Sequence, residues 1–182
     1  MNETQKIFEK TAKLFCQSLV YQVIKPTLQE LSKSELTEVQ LSCIRYVHTH
    51  SEPSVGAIAA GLSISNAAAA KLTDRLVKKH LLSREEDLRD RRVLKIKLTP
   101  DGARLLEEID RIESQQFQTI LSRMSSGEME ALQQGLNGFL RAALVDASQI
   151  DQICLHCGWD HLLDCPGNLR YRELTGHDKT EV

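Results

Sequence analysis

Apolar residues recur at spacings of three and four along most of the chain, a pattern that is typical of helices burying one face. The first stripe predicts a helix over residues 5–31 and comprises Phe8, Ala12, Phe15, Leu19 and Val23. Pro26 predicts a kink or break near the end of this helix, because proline cannot donate the helical hydrogen bond. Two further stripes predict a helix from Thr99-Pro100 to about Met124 and another that begins at Ser125.

The middle of the chain predicts three shorter helices. Thr37 and Gln40 form a capping-box pattern, and the helix that follows should end around His50. A short helix is predicted over Ser54–Gly61, with Gly61 as its C-terminal stop. After a tight turn, Ser65 caps a helix from Asn66 to about His80. Two short helices separated by three or four residues form a helix-turn-helix.

Two short strands follow this pair of helices. Leu81–Glu85 and Val93–Leu98 read as strands, and the second alternates apolar and basic residues. The loop between them, Glu86–Arg92, is almost entirely charged. A strand, a charged loop and a strand directly after a helix-turn-helix form a wing. With only 4% aromatic residues, the chain is predicted to be mainly α, with a winged helix-turn-helix.

The charge of the chain is unevenly distributed. Its 182 residues carry a net charge of −2. The stretch from Lys71 to Lys97, however, holds ten basic and five acidic residues, a net charge of +5, which leaves −7 for the rest. A basic segment in an acidic chain indicates a polyanionic partner such as nucleic acid, although a solvated charged face gives the same count.

Three motifs within these elements resemble the MarR family of bacterial transcriptional regulators, over residues 5–148. They are the wing motif Asp87-x-Arg89-Asp90-x-Arg92, the segment Ile58-Ala59-x-x-Leu62-x-Ile64-Ser65, and the entry into the next helix, Leu98-Thr99-x-x-Gly102. The resemblance implies a homodimer that binds a pseudo-palindromic site in double-stranded DNA. It also implies a helical dimerisation lobe from residues 1–36 and 100–148, with the DNA-binding region at 37–99.

The resemblance also assigns roles to individual side chains. The start of the second helix of the helix-turn-helix should meet base edges, and a basic residue further along should reach a phosphate. The residues are Ser65, Asn66, Ala68 and Lys71 for the bases, and Arg75 for the phosphate. In the wing, Arg89 or Arg91 is expected to enter a minor groove. Asp87, Asp90 and Arg92 are expected to hold the loop in shape.

Residues 149–182 have no counterpart in a minimal member of this family and are rich in cysteine and histidine. Cys154, Cys157, His161 and Cys165 have the spacing of a closed four-ligand zinc site. An iron–sulfur cluster on the three cysteines, a disulfide switch between Cys154 and Cys157, and a disordered tail are the alternatives. Cys16 and Cys43 are expected to be buried apolar residues.

These observations favour a transcriptional regulator, expected to be a repressor, that responds to a small-molecule effector or to the state of the tail. The chain has no Gly-rich phosphate loop, nucleophile elbow or HExxH motif, so no enzymatic activity is expected. Its longest apolar stretch, Ala57–Leu62, is too short to span a bilayer, and the polar N-terminus is unlike a signal peptide. We therefore expect a cytoplasmic protein. The alternative is a metal-dependent protein-interaction module on a winged-helix scaffold.

Overall fold

A computed structural model describes residues 2–30, 36–86, 94–157 and 162–179. These residues form nine α-helices, one π-helical turn and a two-stranded sheet. The helices are α1 (Glu3–Leu19), α2 (Lys25–Glu30), α3 (Glu38–Thr49), α4 (Val55–Gly61), α5 (Asn66–Lys78), α6 (Pro100–Leu121), α7 (Ser126–Ala143), α8 (Ala147–Cys157) and α9 (Pro166–Thr175). The strands are β1 (Leu82–Glu86) and β2 (Leu94–Leu98). The predicted mainly helical winged fold is confirmed.

The N-terminal helix is interrupted where the sequence predicted a break. Between α1 and α2, Val20–Ile24 form a π-helical turn, and the Lys25 N–H donates to the Val20 carbonyl five residues earlier. Pro26, which has no N–H, is the second residue of α2. The disturbance is therefore a widened turn just before the proline. Asn2 caps α1 in a capping box with Gln5, a start signal that the sequence prediction missed.

The winged lobe has a continuous apolar core formed by α3, α4, α5, the sheet and the start of α6. Helix α5 buries Ala69, Leu72 and Leu76, because residues three and four apart lie on one side of a helix. The largest fully buried apolar side chains of the winged-lobe core are Ile44, Ile58, Leu76, Leu82, Ile96 and Ile109. Complete burial of an aliphatic side chain stabilises a fold by roughly 1.5–3 kcal/mol. This core holds the two helices of the helix-turn-helix at a set angle.

The sheet is an antiparallel pair whose register matches Leu82 with Leu98 and Glu86 with Leu94. Both strands were predicted to within one residue at the ends that the structure describes. A further segment joins them: Ser54 forms a bridge with Lys95, and the Ile96 N–H donates to the Pro53 carbonyl at 2.9 Å. The start of α4 is therefore hydrogen-bonded to the wing.

Gly61 has a different role from the predicted helix stop. It is the last residue of α4, and the left-handed residue in the following turn is Ser63, with φ of 54°. A Cβ at Gly61 would lie 2.0 Å from Cε2 of Tyr46, which is sterically impossible without a shift. Gly61 is therefore required because the Tyr46 ring packs directly on its backbone.

The helical lobe is only partly covered within one chain. Helix α6 buries Leu106, Ile109 and Ile112, whereas α1 and α7 bury no residue. Cys16, on α1, is exposed, so its predicted burial is wrong for the single chain, while that of Cys43 is confirmed. No described helix is by itself long and apolar enough to cross a bilayer. Helices α4 and α5 meet that criterion only as a pair bent by 111°.

The described part of the tail is joined by a polar network. The side chain of Asn168 is fully buried; its amide donates to the Leu163 carbonyl at 2.9 Å and to Asp178 at 2.8 Å. Its carbonyl oxygen accepts from the Lys179 N–H at 2.8 Å. The Lys179 ammonium pairs with Asp151 on α8. Hydrogen bonds around one buried amide therefore act together with the burial of Ile150 to hold α8 and α9 in place.

Candidate nucleic-acid interface

The second helix of the helix-turn-helix, α5, presents a polar face to solvent. The Ser65 hydroxyl accepts from the Ala68 N–H at 3.2 Å, so this side chain caps the helix as predicted. The buried side of α5 consists of Ala69, Leu72, Thr73 and Leu76. All five predicted DNA-contacting residues on or next to this helix are exposed: Ser65, Asn66, Ala68, Lys71 and Arg75. Ala68, Lys71 and Arg75 are spaced by three and four residues, so they share one face.

The turn between α4 and α5 sets the direction in which this face points. The two helices are bent by 111° relative to each other, within the usual range for a helix-turn-helix. The Ile64 N–H donates to the Ala59 carbonyl at 3.0 Å, which closes the turn. Leu62 and Ile64 are half-buried and pack against the winged-lobe core. The N-terminus of α5 is therefore held at the protein surface.

Arg84 joins the wing to α5, a role that the sequence did not reveal. Its guanidinium donates to the Thr73 hydroxyl at 3.2 Å and pairs with Asp74. Thr73 is fully buried and also donates to the Ala69 carbonyl at 3.0 Å. Because Arg84 lies on β1, these contacts couple the orientation of the wing to that of α5. In the sequence, Arg84 is one basic residue among many, so only the tertiary contact distinguishes it.

Lys97, on β2, forms ion pairs with two carboxylates. Its ammonium lies 2.8 Å from Glu52 and 2.7 Å from Glu85. The hydrogen bonds to Glu52 and then to Glu85 raise the pKa of Lys97, so it stays charged but is paired. Arg84 is likewise paired with Asp74. Asp74 and Glu85 are already counted in the net charge of +5, so these pairs leave that sum unchanged, but they engage Arg84 and Lys97 within the protein.

A second hydrogen-bond junction holds the base of the wing to α6. The Thr99 hydroxyl donates to the His80 carbonyl at 2.6 Å and accepts from the Gly102 N–H at 3.0 Å. A Cβ at Gly102 would lie 2.2 Å from the Leu81 carbonyl oxygen, so only glycine fits there. The motif Leu98-Thr99-x-x-Gly102 therefore has a structural reason: it lets α6 begin directly against the start of β1.

The tip of the wing, residues 87–93, lies outside the described residues, which end at Glu86 and resume at Leu94. The predicted roles of Asp87, Arg89, Asp90, Arg91 and Arg92 therefore stay predictions. The two ends of the loop are paired across the sheet, Glu86 opposite Leu94.

The cysteines of the tail lie at the junction of α8 and α9. Cys154 is on α8, Cys157 ends that helix, and Cys165 is the N-cap residue of α9. His161 lies outside the described residues. Within the described ranges, no three or more His, Cys, Asp or Glu side chains are grouped so as to hold a metal ion. The zinc and iron–sulfur hypotheses stay predictions that the described residues do not support.

Charged residues also connect the two lobes. Arg45 on α3 lies 3.1 Å from Asp110 and 2.7 Å from Glu113, both on α6. Glu113 is buried, and its Oε1 has no hydrogen-bond partner among the described residues. A buried carboxylate oxygen left unsatisfied costs free energy. This junction is therefore a place where a hydrogen-bond donor would be favourable.

The winged region matches a known family. The MarR family model matches residues 36–94. The chain is 31% identical over 91 residues to the HTH-type transcriptional repressor MdtR of Bacillus subtilis, an alignment spanning 50% of this chain and 59% of MdtR. The chain thus covers less than two thirds of that relative's length.

Solved structures with the same fold cover more of the chain. The YusO protein from Bacillus subtilis superposes with a TM-score of 0.62 at 24% identity, covering 80% of this chain and all of YusO. A single-substitution mutant of Staphylococcus aureus MepR bound to an oligodeoxyribonucleotide has a TM-score of 0.55 at 23% identity, covering 79% of this chain and 99% of that protein. At these identities, the structures show that the fold is shared.

Proposed function

The winged-helix region of this chain, residues 36–94, belongs to the MarR family, and from that premise we propose that the protein is a sequence-specific DNA-binding regulator of transcription. The observation that carries the proposal is the exposed face of α5, which Arg84 orients relative to the wing. The named relative MdtR is a transcriptional repressor, which supports repression as the sign of regulation. MdtR is named as a regulator rather than an enzyme, in agreement with the prediction that this chain has no enzymatic activity.

The geometry suits insertion of α5 into a major groove, which admits one helix. Small side chains at its start, Ala67 and Ala68, allow close approach to the bases, and Asn66 can pair with a base edge. Lys71 and Arg75 lie one and two turns further along and would contact the bases and the phosphate backbone. The oligonucleotide bound to the MepR mutant supports the idea that this fold presents such a face to DNA.

We propose further that the protein acts as a homodimer. Helices α1 and α7 bury no residue in the single chain, yet both carry large apolar side chains. Those that are exposed include Ile7, Phe8, Leu14, Met129, Leu136 and Phe139. A two-fold dimer would bury these faces and place two α5 helices at half-sites about one helical turn apart.

An effector that changes DNA affinity is proposed to bind between the lobes. The support is the unsatisfied Glu113 Oε1 beside Arg45, at the contact of α3 with α6. A small molecule with a hydrogen-bond donor would satisfy this oxygen and alter the angle between the lobes. The rival function, a metal-dependent interaction module, predicts no salt-dependent binding to a specific duplex.

The test of DNA binding starts with selection of a bound sequence from a random duplex pool by the full chain. Affinity for the selected duplex is then measured over a range of salt concentrations for the parent and for Lys71→Ala. Loss of one phosphate contact should reduce the salt slope by about one unit, whereas loss of a base contact should cost about 1–3 kcal/mol at one position. Lys10→Ala, an exposed change on α1, should change neither quantity. Failure to enrich any duplex would overturn the proposed function.

A further inference from the structure

Two cysteines that are distant in the sequence lie on either side of Gly167 in the tail. A Cβ built at Gly167 would lie 3.9 Å from the sulfur of Cys154 and 3.6 Å from the sulfur of Cys165. The two sulfurs are therefore separated by no more than the sum of these distances, 7.5 Å. Both distances are ordinary van der Waals contacts, so the two sulfurs lie close to the same point at the start of α9.

The contacts around this junction hold the two helices together without using either thiol. Lys179, hydrogen-bonded through its N–H to Asn168 on α9, pairs with Asp151 on α8. Cys165 is the N-cap residue of α9, a position where side chains usually accept a backbone hydrogen bond, but its sulfur accepts none from the described residues of that helix. Both cysteines are half-buried. The thiols are thus positioned by the fold and are not required as hydrogen-bond partners.

Cys157 is less well placed to form a disulfide with Cys154. Both lie on α8, three residues apart, where Cβ atoms are about 5–6 Å from each other. A disulfide requires a Cβ–Cβ distance of about 3.5–4.5 Å. A Cys154–Cys157 bond would therefore require the last turn of α8 to unwind. A bond between Cys154 and Cys165 would join two separate helices, so it does not need two positions of one helical turn to come together.

We propose that Cys154 and Cys165 are a redox-active thiol pair, which a hydroperoxide converts into a disulfide that joins α8 to α9. In the first step, the thiolate of one of the two cysteines attacks the terminal oxygen of the hydroperoxide. The O–O bond breaks, the sulfur becomes a sulfenic acid, and the departing oxygen takes up the proton that the thiol had released, so that it leaves as an alcohol, or as water from hydrogen peroxide. In the second step, the sulfur of the other cysteine attacks the sulfenic sulfur, and the sulfenic hydroxyl leaves with the thiol proton as water. The hydroperoxide is reduced by two electrons, and the two thiols are oxidised to one disulfide.

The test uses the reduced full chain treated with hydrogen peroxide at a few equivalents and then analysed by mass spectrometry. Trypsin does not cut between Arg141 and Arg170, so an aspartate-specific protease is used to separate Cys165 from Cys154 and Cys157. The expected product in both the parent and Cys157→Ser is a peptide pair linked through a disulfide. In the Cys157→Ser variant, this link is possible only between Cys154 and Cys165.

Two further variants test that both cysteines are needed. Cys154→Ser and Cys165→Ser should each form no link between the two peptides, and dimedone should trap a sulfenic acid on the remaining cysteine of the pair in at least one of them. Circular dichroism of each reduced variant checks that it is folded. The proposal is overturned if Cys157→Ser abolishes the link, or if the parent forms only a Cys154–Cys157 bond. It is also overturned if the chain as purified carries a stoichiometric metal ion that keeps the thiols from reacting.

Discussion

The guanidinium of Arg84, on β1, donates a 3.2 Å hydrogen bond to the hydroxyl of Thr73, which is fully buried within α5. The same guanidinium pairs with Asp74, the next residue of the helix. One side chain thus links the strand that leads into the wing with the helix that presents the exposed polar face. In the proposed function, both parts must reach DNA together, so this link contributes to affinity without itself contacting DNA.

Arg84→Ala should weaken DNA binding more than its effect on stability would suggest. Loss of the bond to Thr73 should lower the free energy of unfolding by about 1 kcal/mol. Loss of the fixed angle between wing and helix should lower affinity for the selected duplex about tenfold, which corresponds to about 1.4 kcal/mol. Titration of the duplex and urea unfolding measure the two effects. Arg104→Ala, which removes an exposed arginine paired with Asp101, is the matched control and should leave affinity unchanged.

Arg89→Ala and Arg91→Ala test the wing tip. If one of these arginines enters a minor groove, its loss should cost about 1–3 kcal/mol, and loss of a phosphate contact should instead reduce the salt slope by about one unit. Both the loss of binding free energy and the change in salt slope are obtained from affinities measured at several salt concentrations. Arg123→Ala, at an exposed position beyond the end of α6, provides the comparison. Unchanged binding in both wing variants at moderate salt would show that the wing assignment is wrong.

Gly61→Ala should destabilise the winged lobe, because the added methyl group would overlap the Tyr46 ring. Overpacking of a well-packed core costs about 1–3 kcal/mol. Gly56→Ala, on the same helix, is the matched control: its Cβ would lie 3.7 Å from the Ser54 hydroxyl, an ordinary contact. That variant should be neutral or more stable, since alanine favours the helix by about 0.5–1 kcal/mol over glycine. The midpoint temperature of thermal unfolding should therefore fall for Gly61→Ala and should stay unchanged or rise for Gly56→Ala.

Burial of Cys43 should make stability depend on alkaline pH. Burial raises the pKa of its thiol from 9.0 to about 12 in the folded chain. Between these values, the unfolded chain loses the thiol proton and the folded chain keeps it, so the unfolded state binds fewer protons and stability falls as pH rises. Cys43→Ala removes this titration. The difference in unfolding free energy between parent and variant should be constant below about pH 8 and should shift against the parent between pH 9 and about pH 12. A difference that stays constant throughout contradicts the prediction.

The exposed apolar faces of α1 and α7 predict self-association. The rings of Phe8 and Phe139 lie 6.5 Å apart at the surface, and more than half of the Phe139 side chain is exposed. The parent should sediment as a dimer at micromolar concentration. Phe139→Glu should shift it toward the monomer, because a charge would be buried in the interface. Gln134→Glu adds the same charge on the other side of α7 and should remain dimeric. A monomeric parent would also remove the basis for a palindromic binding site.

Local signals in the sequence were enough to locate most helices and both strands. The capping boxes at Thr37 and Ser125 and the caps at Ser54, Ser65 and Thr99 all form in the structure. These interactions join residues three positions apart, so their partners can be read from the chain itself. The exposed face of α5 follows from the same periodicity that buries Leu72 and Leu76.

Contacts between residues far apart in the chain could not be predicted in this way. Composition does not show that Arg84 pairs with Asp74, or that Lys97 pairs with Glu52 and Glu85, so it does not show which basic side chains are engaged within the protein. The reason for glycine at position 61 is the Tyr46 ring, which a pattern of helix stops does not contain. The sequence likewise contained no signal for Arg45 between the lobes.

The sequence by itself determined the order of the elements, the winged arrangement and the segment that should face DNA, because these depend on periodicity, caps and a charged loop. Only the tertiary structure decided which cysteines of the tail are neighbours. Spacing favoured Cys154 with Cys157, but a helix holds side chains three residues apart at a distance set by its pitch. The fold also brings Cys165 near Cys154, because the network around Asn168 packs α9 against α8, and both sulfurs then lie within contact distance of a Cβ built at Gly167.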